Sequence, residues 1–155
     1  RVDNETINNL LKTALSRNMN LLRLNPRPGP TIAIPNVIEF GILEVDKPYR
    51  VSTQGSIWKK SHLREILVAN ESAWEFEING SIRSNKYDGY YCVWDDKLSY
   101  GHHVVERGKW FPWALWKYKR ADIGIDSNAR KTLSFSETFI WIGKKFIFIF
   151  INWFK

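Results

Sequence analysis

The feature that most constrains this chain is the way its hydrophobic period changes along its length. Residues 4–17 place Ile7, Leu10, Leu11, Ala14 and Leu15 at helical spacing, with Asp3 or Asn4 available to cap the start. After Asn18 and Asn20, the run Leu21-Leu22-Arg23-Leu24 reads as a short apolar strand. Asn25-Pro26-Arg27-Pro28-Gly29-Pro30 then excludes helix and ladder alike, because proline lacks the amide donor and fixes φ. Helical and strand-like segments keep alternating in mixed order, which predicts an α/β fold with a mixed sheet and flanking helices.

Further along, Ile38–Val45 suits a strand or a turn, and Pro48–Gln54 reads as a strand ending in small polar groups. A helix is predicted over Ile57–Val68, with Trp58, Leu63, Ile66 and Leu67 inward. A second begins at Ser72, where Ser72 and Glu75 have the spacing of a capping box, and Gly80 is placed to end it. Residues 87–94 are strand-like, Asp95-Asp96 is a turn, and Leu98, Tyr100, His102 and Val104 alternate as a strand would. Trp113–Tyr118 suits a short helix.

A chain of 155 residues can bury one real core, and 44% apolar with 25% charged residues argues against general disorder. The net charge of +7 favours phosphorylated substrates, polyanions or anionic membranes without choosing among them. The single cysteine, Cys92, leaves no intrachain disulfide and fits a reducing compartment; its apolar neighbours predict a buried, inert thiol. No signal peptide is recognisable before the first helix, so a cytoplasmic location is expected. Eight Trp, six Tyr and nine Phe suit stacking on sugars or bases, and suit an aromatic core equally well.

Residues 139–155 are nearly all apolar but carry Lys144 and Lys145 centrally and are short for a transmembrane span. A buried terminal strand and a membrane-surface segment compete for them, the second placing the protein at the inner face of a membrane. Residues 1–138 are taken as one domain.

The middle of the chain carries a recognisable order of motifs. Tyr49-Arg50-Val51-Ser52-Thr53-Gln54 leads to Ile57-Trp58; Glu71-Ser72-Ala73-Trp74-Glu75-Phe76-Glu77 follows, then Gly80-Ser81, Arg83-Ser84 and, later, Gly108-Lys109-Trp110. This order resembles a bacterial and viral family of nucleotide-diphospho-sugar transferases of GT-A fold, over roughly residues 10–130. The resemblance implies sugar transfer from a nucleotide-diphosphate sugar to an acceptor hydroxyl of a glycan or lipid-linked glycan. It also implies a divalent metal, Mn2+ or Mg2+, to offset the leaving diphosphate, and a carboxylate base. The chain has no Asp-x-Asp, the metal motif of the first half of such enzymes. The expectation is therefore a C-terminal, acceptor-side part that is inactive alone.

Glu77 is the first catalytic candidate, since it shares a helix face with Trp74 in a Trp-x-x-Glu arrangement resembling that of galactosyltransferases. Glu75 is the second, although capping already employs it. Ser52 and Gln54, at a predicted strand end, and Trp74, as a stacking platform, are candidate substrate contacts; turn chemistry and core packing compete for them. Arg83 and Lys109 are candidate diphosphate ligands against the alternative of a basic surface. In related enzymes a late histidine completes the metal site; neighbours on a strand face opposite ways, so only one of His102 and His103 can serve, and His103 is the candidate. A basic, aromatic module binding single-stranded nucleic acid or an anionic membrane is the non-enzymatic rival. The absence of zinc spacing, helix-turn-helix or RNA-recognition motifs disfavours nucleic acid.

Overall fold

The computed structural model describes residues 3–98 and 104–153, without the side chains of residues 145, 146 and 148–153. The chain forms two compact units, residues 1–99 and 100–155.

The first unit is a mixed α/β layer structure. Helix α1, Asn4–Ser16, starts where the Asp3 carboxylate accepts from the Glu5 amide at 3.1 Å. It leads into β1, Leu21–Arg23. Next come β2, Ile32–Ile34, and β3, Val37–Ile42. Strand β4, Ser56–Trp58, is followed by α2, Lys60–Ile66, then α3, Ala73–Ser84, and β5, Tyr90–Val93. Among the described residues the sheet order is β2-β3-β5-β1-β4, with β1 parallel to β5 and the other neighbours antiparallel.

The sheet is covered on both faces, which is why central strands β1 and β5 carry almost no exposed residue. Alternation along β1 sends Leu22 to a cluster with Leu10 and Ala14 of α1, Met19, Leu24, Phe40 and Val93. Leu21 faces the other way, into a cluster of Leu43, Val51, Ile66, Phe76, Tyr90 and Cys92 beneath α2 and α3. Burying each large apolar side chain of this kind contributes about 1.5–3 kcal/mol before conformational entropy is set against it. Cys92 is fully buried, and burial pushes its thiol up to about 11, the inert state expected. Leu11 and Leu15 stay largely exposed, so α1 buries a narrower stripe than its periodicity predicts.

Three expectations need correction. Pro48–Gln54 is not a strand: Tyr49 takes a positive φ of 58°, and the amides of Val51 and Thr53 bond to side chains of α3 instead of to a ladder. Trp58 belongs to the end of β4, not to the helix, and packs against the rings of Phe76 and Tyr90 at 6.5 and 6.3 Å; Leu67, past the end of α2, is half exposed. Gly80 lies inside α3, which runs on to Ser84. A Cβ there would sit 3.2 Å from the Phe76 ring and 3.4 Å from Val51 Cγ1, so this glycine permits close approach of the 46–54 segment.

The second unit begins with a hairpin of β6, Val105–Glu106, and β7, Lys109–Trp110. Its two turn residues, Arg107 and Gly108, both have positive φ, 48° and 77°, as a two-residue turn matched to strand twist requires. Helix α4, Pro112–Arg120, opens with a proline, whose missing donor costs nothing at a helix start. The tail is helix α5, Phe135–Trp153, not a strand. Its start is a second capping box: Ser134 Oγ accepts from the Glu137 amide at 3.2 Å, and Glu137 Oε2 accepts from the Ser134 amide at 2.9 Å. Phe111, Ala114 and Leu133 form the small core, with Val104, Tyr118 and Trp141 packed on it. Among the described residues no helix is long and apolar enough to cross a membrane. Tyr100, His102 and His103 lie outside the described residues, and Leu98 and Val104, the described ends of the strand expected there, belong to no strand.

Candidate functional site

Helix α3 is fixed by its cap: Ser72 Oγ accepts from the Glu75 amide at 3.3 Å, and Glu75 Oε2 accepts from the Ser72 amide at 2.8 Å. From there Glu77, Ser81 and Asn85 follow at intervals of four, one polar stripe along the helix. Each member holds the irregular segment 46–54, which runs antiparallel to the helix. Asn85 Oδ1 accepts from the Asp46 amide at 3.0 Å, and Ser81 Oγ accepts from the Val51 amide at 2.9 Å. Glu77 Oε1 accepts three bonds: from Ser52 Oγ at 3.0 Å, the Thr53 amide at 2.7 Å and Thr53 Oγ1 at 2.8 Å.

Two sequence-predicted site residues, Ser52 and Glu77, are thus brought together across 25 positions. Oε1 is saturated, whereas Oε2 accepts no hydrogen bond among the described residues. A carboxylate anchored through one oxygen has a fixed plane and presents the other oxygen in one direction. That is the requirement for taking a proton from, or gripping, a hydroxyl. Gln54 adjoins the same turn, its amide donating to Ser52 Oγ at 3.2 Å. Its side-chain carbonyl is buried with no partner among the described residues, an orphan acceptor.

Flanking this stripe is a groove of about 430 Å³ lined by Asp46, Lys47, Pro48, Tyr49, Ile78, Ser81, Ile82 and Asn85. Trp74, Ile78 and Ile82, spaced by four, form an exposed apolar stripe on α3, with Trp74 65% accessible. Trp74 is therefore not a core residue but an open indole one turn before the groove. Asp46 and Asn85 were not singled out from the sequence, and Tyr49 only as the first residue of a motif. The spacing of Glu77, Ser81 and Asn85 is the signal that could have found Asn85.

The other predicted residues have different surroundings. Glu75 is committed to the cap, and the Ser72 hydroxyl and amide hold its carboxyl below the usual range, which suits an anion and not a proton acceptor. Arg83 grips Glu71 with both terminal nitrogens, at 2.8 and 2.6 Å, while Nε donates to the Ile66 carbonyl at 3.0 Å. This pairing holds Glu71 below its ordinary pKa and raises that of Arg83. Lys109, in the second unit, pairs with Glu137 and with it pins the start of α5. The metal candidate His103 lies outside the described residues, and among those described no group of three His, Cys, Asp or Glu is arranged to hold a metal ion.

Within the first unit, residues of the motif contact one another across the fold. The buried Arg50 guanidinium donates to the Leu43 carbonyl, to the carbonyl and hydroxyl of Ser84 and to the Tyr87 carbonyl, while lying 4.1 Å over the Tyr90 ring. Ser52 joins Glu77, Trp58 packs on Phe76, and Glu71 pairs with Arg83. Searches of family models, of curated proteins and of solved structures each find no match to this chain.

Proposed function

We propose that residues 1–99 form the acceptor side of a sugar-transfer site of the GT-A type, with Glu77 as the group that receives the acceptor proton. The observation that carries this reading is the one-sided anchoring of Glu77, with Oε1 held by Ser52 and Thr53 and Oε2 left to a ligand. The groove, which Ser81 lines one turn of α3 from Glu77 although Glu77 itself does not, supports it, because Tyr49, Ile78 and Ile82 offer apolar faces to sugar carbons while Asp46, Lys47 and Asn85 offer polar groups to hydroxyls. In the transfer, the acceptor hydroxyl gives its proton to Glu77 Oε2 and its oxygen bonds to the anomeric carbon. The bond from that carbon to the nucleotide diphosphate breaks, and the diphosphate leaves with the electron pair.

Two measurements test this. Saturation-transfer NMR of the chain against a panel of oligosaccharides is expected to show binding that Trp74→Ala weakens about tenfold. In a transfer assay of a longer protein that joins a donor-binding half to this chain, supplied with a nucleotide-diphosphate sugar and a divalent metal, Glu77→Gln is expected to lower turnover about 100-fold or more, the usual scale for a lost general base. Wild-type turnover in Glu77→Gln rules the base assignment out.

A further inference from the structure

The positive charge of this protein is segregated. Residues 100–155 hold ten Lys and Arg against four Asp and Glu, whereas residues 1–99 hold thirteen against twelve. The second unit thus carries six of the seven net positive charges, together with five of the eight tryptophans.

That unit also exposes apolar surface on its two helices. Helix α4 turns Ala114 and Tyr118 toward the core, and Trp113, Trp116, Lys117 and Arg120 fall on a different face at spacings of three and four. Trp116 is 63% accessible, and the Arg120 guanidinium lies 5.3 Å from its ring centre. Helix α5 packs through Trp141, whose ring meets Phe111 at 4.8 Å. On the far side of α5 stand Phe135, Phe139, Ile140, Ile142 and Ile147, all exposed, with Phe139 72% accessible. A helix that is apolar on the side away from its core presents water with nothing it can solvate well.

We infer that residues 100–155 form a peripheral membrane-binding module, which lays the outer face of α5 and the tryptophans of α4 into the surface of an anionic bilayer. Lys117, Lys119, Arg120, Arg130, Lys131 and Lys144 are exposed and meet the headgroup charge. Tryptophan suits the headgroup level, and lysine beside apolar residues can extend its ammonium to phosphate. Single-stranded nucleic acid would use the same cations, but the exposed Ile140, Ile142 and Ile147 have no stacking plane to offer a base and match acyl chains instead. The inference does not depend on Glu77, which belongs to the other unit.

The test is co-sedimentation of the full chain with phosphatidylcholine vesicles, with and without phosphatidylserine. Binding is expected only with phosphatidylserine, weakening as salt is raised. Joint Lys117→Glu, Lys119→Glu and Arg120→Glu, and separately Phe139→Asp with Ile140→Asp, are each expected to weaken it about tenfold with circular dichroism unchanged. Tryptophan fluorescence of the wild-type chain is expected to be quenched by bromine-labelled acyl chains, a readout that needs no variant. No binding to phosphatidylserine vesicles, or no quenching, overturns the inference. So does displacement from vesicles by a single-stranded oligonucleotide, which assigns the basic surface to nucleic acid.

Discussion

Thr53 donates twice to one oxygen of Glu77, from its amide at 2.7 Å and from its hydroxyl at 2.8 Å. The same contact ties a turn to a helix and aims a carboxylate, so structure and chemistry are separable by substitution. Gln keeps an acceptor oxygen in place, whereas Ala takes the acceptor from the buried Ser52 hydroxyl. Glu77→Ala is expected to lower unfolding free energy by about 1–2 kcal/mol and Glu77→Gln by less than about 1 kcal/mol, as read by urea denaturation. Equal losses in both variants would mean that the charge, not the acceptor, holds the turn.

His62 and Tyr90 make a second coupled pair. The imidazole Nε2 lies 2.6 Å from the Tyr90 hydroxyl, and both residues are buried. Burial, the largest influence, holds the His62 pKa below its ordinary 6.5 and pushes the Tyr90 phenol up to about 12. Because the folded protein resists protonating His62, the unfolded chain takes up that proton first as pH falls. This contribution to stability is complete above about 6.5 and declines below it until the folded pKa is reached. Melting temperature followed against pH is expected to drop below 6.5 in the wild type more steeply than in His62→Gln. In a double-mutant cycle, His62→Phe, which takes the imidazole partner from the phenol, is expected to cost about 1–3 kcal/mol, and less in a Tyr90→Phe background.

Glu137 gives an acid-side prediction. Lys109 and the Ser134 amide hold its carboxyl down to about 2 from an ordinary 4.5. Stabilisation from this depressed group is fully present above about 4.5 and is lost as pH falls toward 2. The difference in melting temperature between wild type and Glu137→Gln is therefore expected to shrink over that interval. Ser134→Ala, which removes the cap of α5, is expected to cost about 0.5–2 kcal/mol at neutral pH.

Gly41 in β3 lies where a side chain has no room. A Cβ there would come within 2.5 Å of the Ile32 carbonyl oxygen and 2.7 Å of the Trp94 ring. The oxygen belongs to the neighbouring strand and cannot swing aside, so Gly41→Ala is expected to lose about 1–3 kcal/mol in denaturant titration. A neutral result would mean that β2 is free to shift away from β3.

Several elements were legible because local physics alone decides them. The helix over residues 4–16, the apolar strand at 21–23, the proline-bound loop and the capping box at Ser72 depend on residues a few positions apart. Elsewhere local preference lost to tertiary contact. Tyr49–Thr53 has the composition of a strand, but the side chains of Ser81 and Glu77 accept from the amides of Val51 and Thr53 instead. The tail is rich in residues that favour strands, yet it is helical: a capping box starts it at Ser134, and its Trp141 reaches the Phe111 core from a helix.

The sequence by itself determined the α/β class, the inert buried thiol and the candidacy of Glu77, because composition, period and motif order are properties of the linear chain. Only the tertiary structure decided which cations were already spent, since Arg83 and Lys109 meet Glu71 and Glu137 through contacts 12 and 28 positions apart. It alone also placed Ser52 and Thr53 on a single oxygen of Glu77. No local period encodes such pairings, because they depend on where a fold brings distant segments to within the reach of a hydrogen bond.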